Sequence, residues 1–153
     1  MNDRVILKED YIDIREFREK MVYDDTEALV SHVGSAEDER KGTELKSVEI
    51  ETYGTTTKNS MLKLKDEIKK QFDINNIVIY QRVGKFDPGE KIMAVLISSP
   101  DKGEALEALA ACLDMFESHV PIKKRVAMVD GREYWVKRAD EVMDMYGQVA
   151  ERI

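Results

Sequence analysis

The chain has few of the residues on which disulfide frameworks, metal sites and membrane spans depend. Its 153 residues include one cysteine, Cys112, and two histidines, His32 and His119. A single cysteine excludes an internal disulfide, and the histidines lie far apart without further ligands nearby, so we expect neither a metal nor a cofactor. No apolar run approaches the roughly 18 residues of a membrane helix. A glycine-rich phosphate fingerprint is also missing.

Basic residues are also fewer than acidic ones. Lysine and arginine total 24 against 31 acidic residues, which gives a net charge of −7. This balance argues against a broad nucleic-acid interface, so an anionic ligand has to meet a local basic cluster. The length and the 42% apolar content fit one globular domain over residues 1–153. Charges among the first residues argue against a secretory signal, so we expect a cytoplasmic protein without a membrane span.

Hydrophobic periodicity predicts the elements of the fold. Predicted strands lie near residues 5–7, 27–34, 45–53, 76–84, 91–99, 123–129 and 134–137. Predicted helices lie near residues 14–21, 58–72, 101–118 and 139–153. The polar stretch 35–42 is interpreted as a mobile loop. Hairpin-type turns such as Pro88-Gly89 favour an α+β fold, a two-layer, largely antiparallel sheet with helices, over a doubly wound parallel sheet.

A basic cluster follows Pro121 in the stretch HVPIKKRV. Lys123, Lys124 and Arg125 alternate in direction if the chain is extended, so Lys124 faces one side of the sheet and its neighbours face the other. A lysine that points into a pocket binds phosphate or acts as acid, base or nucleophile. The alternative is a charged edge strand that is protected against aggregation.

Lys102 is a second candidate. It follows the apolar run 91–99 and begins a predicted helix, where a lysine and helix amides together make an anion site. The alternative is an ordinary first-turn side chain. His119 is either a proton shuttle beside the basic cluster or a surface histidine, and Cys112 fits core packing in the apolar stripe of its helix.

Four segments together resemble one enzyme family. They are EALVSHVG (27–34), VEIETYGTTTKNSM (48–61), NIVIYQRVGKFDPGEKIMAVLISSPDKGEALEA (76–108) and HVPIKKRVAMVDGREYWVK (119–137). Over residues 27–137 the chain resembles the large, catalytic subunit of molybdopterin synthase, as a divergent member.

The resemblance implies an α/β hammerhead-like fold, a homodimer and a place in molybdenum cofactor biosynthesis. Such subunits bind the Gly-Gly C-terminus of a small ubiquitin-like sulfur-carrier subunit. They act as sulfurtransferases that move sulfur from its thiocarboxylate to a pterin phosphate substrate, cyclic pyranopterin monophosphate. The alternative is a non-catalytic relative that keeps the fold and binds a ubiquitin-like partner or another anionic ligand.

Part of the family's basic site is retained. By resemblance Lys124 matches a catalytic lysine that follows Pro-Ile-Trp in the family, with Lys123 in place of the tryptophan. Arg125 matches the basic residue that comes next. The family's His-Arg pair at the end of the apolar strand reads Asp101-Lys102 here. The resemblance therefore implies Lys124 as the catalytic residue, with Lys102, Lys123 and Arg125 holding the anionic substrate or tail.

At other positions where the family has a basic residue, this chain has an acidic one. A second essential lysine of the family falls at Glu117, and an expected arginine falls near Glu37. A carboxylate at position 117 could pair with Lys124 and weaken anion binding. Alternatively, neighbouring cations restore the lost charge: Arg40, Lys41 and Lys123.

Overall fold

The computed structural model describes residues 3–138, 141–143 and 149–152, with side chains over 3–136. In this part of the chain, eleven strands form two sheets and three α-helices accompany them. The strands are β1 (Arg4–Lys8), β2 (Ala28–Ser35), β3 (Glu39–Arg40), β4 (Thr43–Thr52), β5 (Asn76–Arg82), β6 (Gly84–Phe86), β7 (Lys91–Ser99), β8 (Ile122–Met128), β9 (Glu133–Arg138), β10 (Glu141–Met143) and β11 (Val149–Arg152). The helices are α1 (Arg15–Arg18), followed by a 3₁₀ turn at Glu19–Met21, α2 (Thr55–Gln71) and α3 (Lys102–His119).

The first sheet has the order β1-β5-β7-β2. Strand β1 runs parallel to β5, and the other neighbours are antiparallel. Strand β7 lies inside the sheet and is buried on both faces, as its continuous apolar sequence predicts. Val95 and Ile97 pack with the helices α2 and α3, whereas Ala94 and Leu96 pack with α1 and its 3₁₀ turn on the opposite face.

Helices α2 and α3 pack against one face of this sheet because each has an apolar stripe at helical spacing. The buried residues of α2 are Thr57, Met61, Leu64 and Ile68. Those of α3 are Ala105, Ala108, Cys112 and Phe116. Leu109, at helical spacing beside this stripe, is only partly buried.

The second sheet has the order β11-β10-β9-β8-β4-β3, with β6 paired to β4. Its apolar face contains Val48 and Ile50 of β4 opposite Val126 and Lys124 of β8. The predicted fold class, α+β with largely antiparallel sheets, is confirmed. The described helices include none that is both long enough and apolar enough to cross a membrane.

Two predictions about local structure are wrong. Within the stretch 35–42, predicted to be a loop, Glu39–Arg40 form strand β3 of a tight hairpin: Glu39 pairs with Glu44 and Arg40 with Thr43. Its two central residues, Lys41 and Gly42, both have positive φ, at 49° and 79°. This is the geometry of a two-residue turn that matches strand twist, which allows a polar segment to form an ordered hairpin.

The predicted helix over 139–153 is the second error. Residues Glu141–Met143 pair with β9 as strand β10, and Val149–Arg152 pair with β10 as strand β11. Sheet pairing here overrides a composition rich in helix-forming residues. The rest of that predicted helix, residues 139–140, 144–148 and 153, lies outside the described residues.

Candidate functional site

Strand β8 separates the three cations of the basic cluster, as alternation predicts. Lys124 is paired in register with Ile50 on β4 and Val136 on β9, so it stands on the apolar face of the second sheet. Lys123 and Arg125 stand on the other face, where their register partners on β4 are Glu51 and Glu49. The aliphatic stem of Lys124 can therefore lie along apolar surface while its ammonium reaches a polar group.

That polar group is the carboxylate of Glu37. The Lys124 Nζ lies 3.0 Å from Glu37 Oε1. Arg40 reaches the same carboxylate, with Nη2 2.6 Å from Oε1 and Nε 2.9 Å from Oε2. Two cations therefore converge on one carboxylate, and we call these three side chains the Lys124 cluster.

The β3–β4 hairpin and the Pro88-Gly89 turn hold Glu37 in place. The N–H of Ala36 donates to the carbonyl of Glu90, and the N–H of Gly89 donates to the carbonyl of Ala36, both at 2.8 Å. On the other side the N–H of Leu45 donates to the carbonyl of Asp38. The residues on both sides of Glu37 are thus anchored by backbone hydrogen bonds.

Burial and charge oppose each other at Glu37. Burial raises the pKa of the carboxyl, but the hydrogen bond from Arg40 and the charge of Lys124 outweigh it and hold the pKa below its usual value. The side chains of Glu37 and Lys124 are 27% and 26% exposed, whereas that of Arg40 is 5% exposed. The cluster thus opens to solvent through Lys124 and Glu37, with Arg40 beneath them.

Lys123 and Arg125 belong to a different surface. Arg125 Nη2 lies 2.6 Å from Glu49 Oε2, and its guanidinium stands over the ring of Trp135 at 5.6 Å. The Lys123 ammonium stands over the ring of Tyr53 at 5.0 Å. These cations are satisfied by carboxylate and aromatic partners on the outer face of the sheet, away from Glu37.

Lys102 also lies away from the Lys124 cluster. It begins α3, whose 18 residues span about 27 Å and end next to β8. The amides of this helix N-terminus are already occupied, because Asp101 Oδ1 accepts from the N–H groups of Gly103 and Glu104 at 2.7 and 3.3 Å. Within one chain, Lys102 and its helix amides therefore form no shared anion site with Lys124.

Glu117 does not pair with Lys124. It is exposed near the end of α3, and within the described side chains no cation lies within 4 Å of it. The sequence therefore pointed to the wrong carboxylate, since the partner of Lys124 is Glu37. His119 is exposed and contacts Ser118, whereas Cys112 is buried, which raises the pKa of its thiol to about 12. A thiol in that state is no nucleophile at neutral pH.

A surface concavity adjoins the same hairpin. It has a volume of about 360 Å³ and is lined by Asp38, Glu39, Gly42, Glu44, Leu45 and Pro88. Its three carboxylates repel an anionic ligand, so it suits the anions expected here less well than the Lys124 cluster does. Across residues 3–136 no group of histidine, cysteine and acidic side chains is arranged to hold a metal ion.

Comparison with known proteins gives the family. The family model described as MoaE protein matches residues 7–118. The chain belongs to the MoaE family. The matched range contains Glu37 and Arg40, and it ends before β8 and Lys124.

A relative and two solved structures extend this match. The molybdopterin synthase catalytic subunit of Drosophila melanogaster is 29% identical over 142 residues, which is 92% of this chain and 39% of that longer protein. The chain thus spans well under half the length of this relative. A molybdopterin synthase structure from Staphylococcus aureus has a TM-score of 0.77 at 22% identity and covers 88% of this chain and 96% of its own. A complex of subunits 1 and 2 of the Helicobacter pylori molybdopterin-converting factor has a TM-score of 0.72 at 16% identity, covering 88% and 91%.

The strand face of Lys124 is predictable from the sequence, but its meeting with Glu37 and Arg40 was not predicted. The Lys41-Gly42 pair was the available signal, because glycine at the second of two turn positions is typical of a tight hairpin. The hairpin fixes Arg40, and the bend of the chain at Asp38 brings Glu37 to within 2.6 Å of it. The bracing of Ala36 by the distant Pro88-Gly89 turn left no signal in the local sequence.

Proposed function

We propose that this chain is the catalytic subunit of a molybdopterin synthase and acts in molybdenum cofactor biosynthesis. In this proposal it transfers sulfur from the thiocarboxylate of a small ubiquitin-like subunit to cyclic pyranopterin monophosphate, which gives the dithiolene of molybdopterin. Membership of the MoaE family supports it. One observation locates the proposed site. The cationic groups of Lys124 and Arg40 meet at one solvent-accessible position in an otherwise acidic protein.

The chemistry requires such a site. The phosphate of the pterin and the thiocarboxylate of the tail are both negatively charged at neutral pH, so they repel each other on approach. A lysine ammonium and an arginine fork that are already in place offset this repulsion and orient the reactants. We assign the reacting position to Lys124 and the buried anion contact to Arg40.

The other candidate cations take different places in this proposal. Lys123 and Arg125, on the outer face of β8, are proposed contacts for the small subunit's Gly-Gly tail or for its surface. Lys102 lies too far along α3 to reach Lys124 of the same chain, so a role at that site requires the second protomer of a homodimer. The Helicobacter pylori neighbour is a complex of two different subunits, which supports the proposed small-subunit partner.

The proposed assembly is a cytoplasmic homodimer that binds the small subunit. Light scattering on the purified chain, with and without the small subunit, tests the stoichiometry, and cell fractionation tests the location. A purified chain that stays monomeric in both samples would overturn the homodimer.

The activity is tested by reconstitution with a thiocarboxylated small subunit and the pyranopterin precursor, with the dithiolene product followed by mass spectrometry. We expect product from the wild type and a loss of about 100-fold or more for Lys124→Ala, since oriented charge at a reacting centre contributes about that much. Lys63→Ala is the control: it removes an exposed lysine of α2 that has no part in the proposed site, and we expect it to retain most of the rate. No product from folded wild type, or equal rates in the two variants, would contradict the proposal.

A further inference from the structure

Glu37 occupies the position that an external anion bound by Lys124 and Arg40 would take. Both of its carboxylate oxygens are engaged: Oε1 contacts Lys124 Nζ and Arg40 Nη2, and Oε2 contacts Arg40 Nε. A bidentate fork plus an ammonium is the arrangement by which proteins bind external carboxylates and phosphates. The protein's own side chain is therefore bound where an external oxyanion would be bound.

Arg40 has hydrogen-bonding capacity that Glu37 does not use. Its residue is 6% exposed, and its third nitrogen, Nη1, is buried without a hydrogen-bond partner among the described side chains and backbone. A buried donor that lacks a partner is costly, so an oxyanion with an additional oxygen that reaches Nη1 gains over Glu37, which contacts only Nε and Nη2. Phosphate offers such additional oxygens.

Glu37 also has a route out of the site. It lies between β2 and β3, outside both strands, and its side chain is 27% exposed. Anchoring of the backbone at Ala36 and Asp38 allows the side chain to rotate toward solvent without unfolding the hairpin. Displacement then exposes the ammonium of Lys124 and the fork of Arg40 together.

We propose that Glu37 is an internal competitor, whose carboxylate fills the Lys124–Arg40 anion site until a phosphate group displaces it. The proposal deepens the proposed function and rests on it for the identity of the phosphate compound. Inorganic phosphate carries about −1.5 to −2 charge at neutral pH, against −1 for the Glu37 carboxylate, so the two cations attract it more strongly than the residue that it displaces.

The test measures binding of inorganic phosphate to the full chain by calorimetry at constant ionic strength. Glu37→Gln keeps the size and the amide oxygen of the side chain but removes its charge. We expect it to bind phosphate about tenfold more tightly than the wild type, because a competing charge at 3 Å is lost. The double variant Glu37→Gln/Lys124→Gln should lose this gain.

Glu49→Gln is the matched control. It changes the net charge equally and releases Arg125 from a pair of the same kind, on the opposite face of the same strand pair. We expect no change in phosphate affinity. An equal gain in Glu49→Gln, or unchanged or weaker binding in Glu37→Gln, would overturn the proposal.

A spectroscopic measurement removes the dependence on one variant. In the wild type, ¹³C-labelled glutamate should show the Glu37 carboxyl resonance moving as phosphate saturates. A resonance that stays unchanged while phosphate binds at Lys124 would contradict displacement. Since no arm requires turnover, failure of sulfur transfer and failure of this proposal are distinguishable.

Discussion

At the scale of single residues, the direction of Lys124 is set by its neighbours in the sequence, whereas its contact with Glu37 is set by residues far apart in the sequence. The direction of Lys124 follows from strand alternation, because side chains of an extended segment point to opposite faces in turn. Its partner follows from the meeting of β8 with the β3–β4 hairpin, 87 positions earlier in the chain by the numbering of Glu37 and Lys124. Position 117 was the wrong choice because six residues lie between it and Lys124, from the end of the helix through Pro121 into the strand, and because its side chain is exposed.

The depressed pKa of Glu37 makes a prediction about stability and pH. A carboxyl whose folded pKa is lowered stabilises the fold at pH values above its unfolded pKa, and this contribution disappears as pH falls through the folded value. The charged groups that face this carboxyl are Arg40 and Lys124. We therefore expect Glu37→Gln to be less stable than wild type by about 1 kcal/mol at pH 7, with the difference shrinking below pH 4.5.

Urea unfolding at several pH values measures this difference. Glu117→Gln, an exposed glutamate without an ion pair among the described side chains, is the control and should match the wild type throughout. A destabilisation by Glu37→Gln that grows as pH falls would contradict the assignment.

At the scale of elements, the sequence predicts best where apolar residues repeat. The stripes of α2 and α3 and the apolar run of β7 are each encoded within one segment, so they were predicted within a few residues. The β3–β4 hairpin is polar, and its order comes from two residues with positive φ and from pairing with a longer strand. Strand β10 likewise depends on its neighbour β9 rather than on its own composition.

Substitutions of Lys41 test whether its backbone conformation limits the stability of the β3–β4 hairpin. It adopts a φ of 49°, a conformation that costs a lysine about 1 kcal/mol and that asparagine adopts more readily. We expect Lys41→Asn to stabilise the protein by about 0.5–1 kcal/mol in urea unfolding. Lys41→Gln removes the same charge without relieving the backbone, so it should give no gain. Equal stabilisation by both variants would assign the effect to charge instead of backbone conformation.

At the scale of the whole molecule, the two sheets are joined where α2 begins and β8 begins. Thr57, in the first turn of α2, is fully buried. Its hydroxyl accepts from the N–H of Tyr53, which follows β4, at 2.9 Å, and donates to the carbonyl of Pro121, which precedes β8, at 2.7 Å. One side chain therefore ties the helical layer of the first sheet to adjacent strands of the second, and it holds Pro121, three residues before Lys124.

Replacing that hydroxyl should loosen both the fold and the site. Thr57→Val has nearly the same shape but leaves the N–H of Tyr53 and the carbonyl of Pro121 without this partner, which costs about 1–3 kcal/mol. Thr56→Val is the control, because Thr56 is exposed in the same helical turn and should change stability by less than about 0.5 kcal/mol. Urea unfolding measures both changes in stability.

The start of β8 positions Lys124 near Glu37. We therefore also expect Thr57→Val to broaden the side-chain NMR signal of Lys124, while Thr56→Val leaves it sharp. Equal destabilisation by the two variants would show that the hydroxyl of Thr57 does not join the sheets.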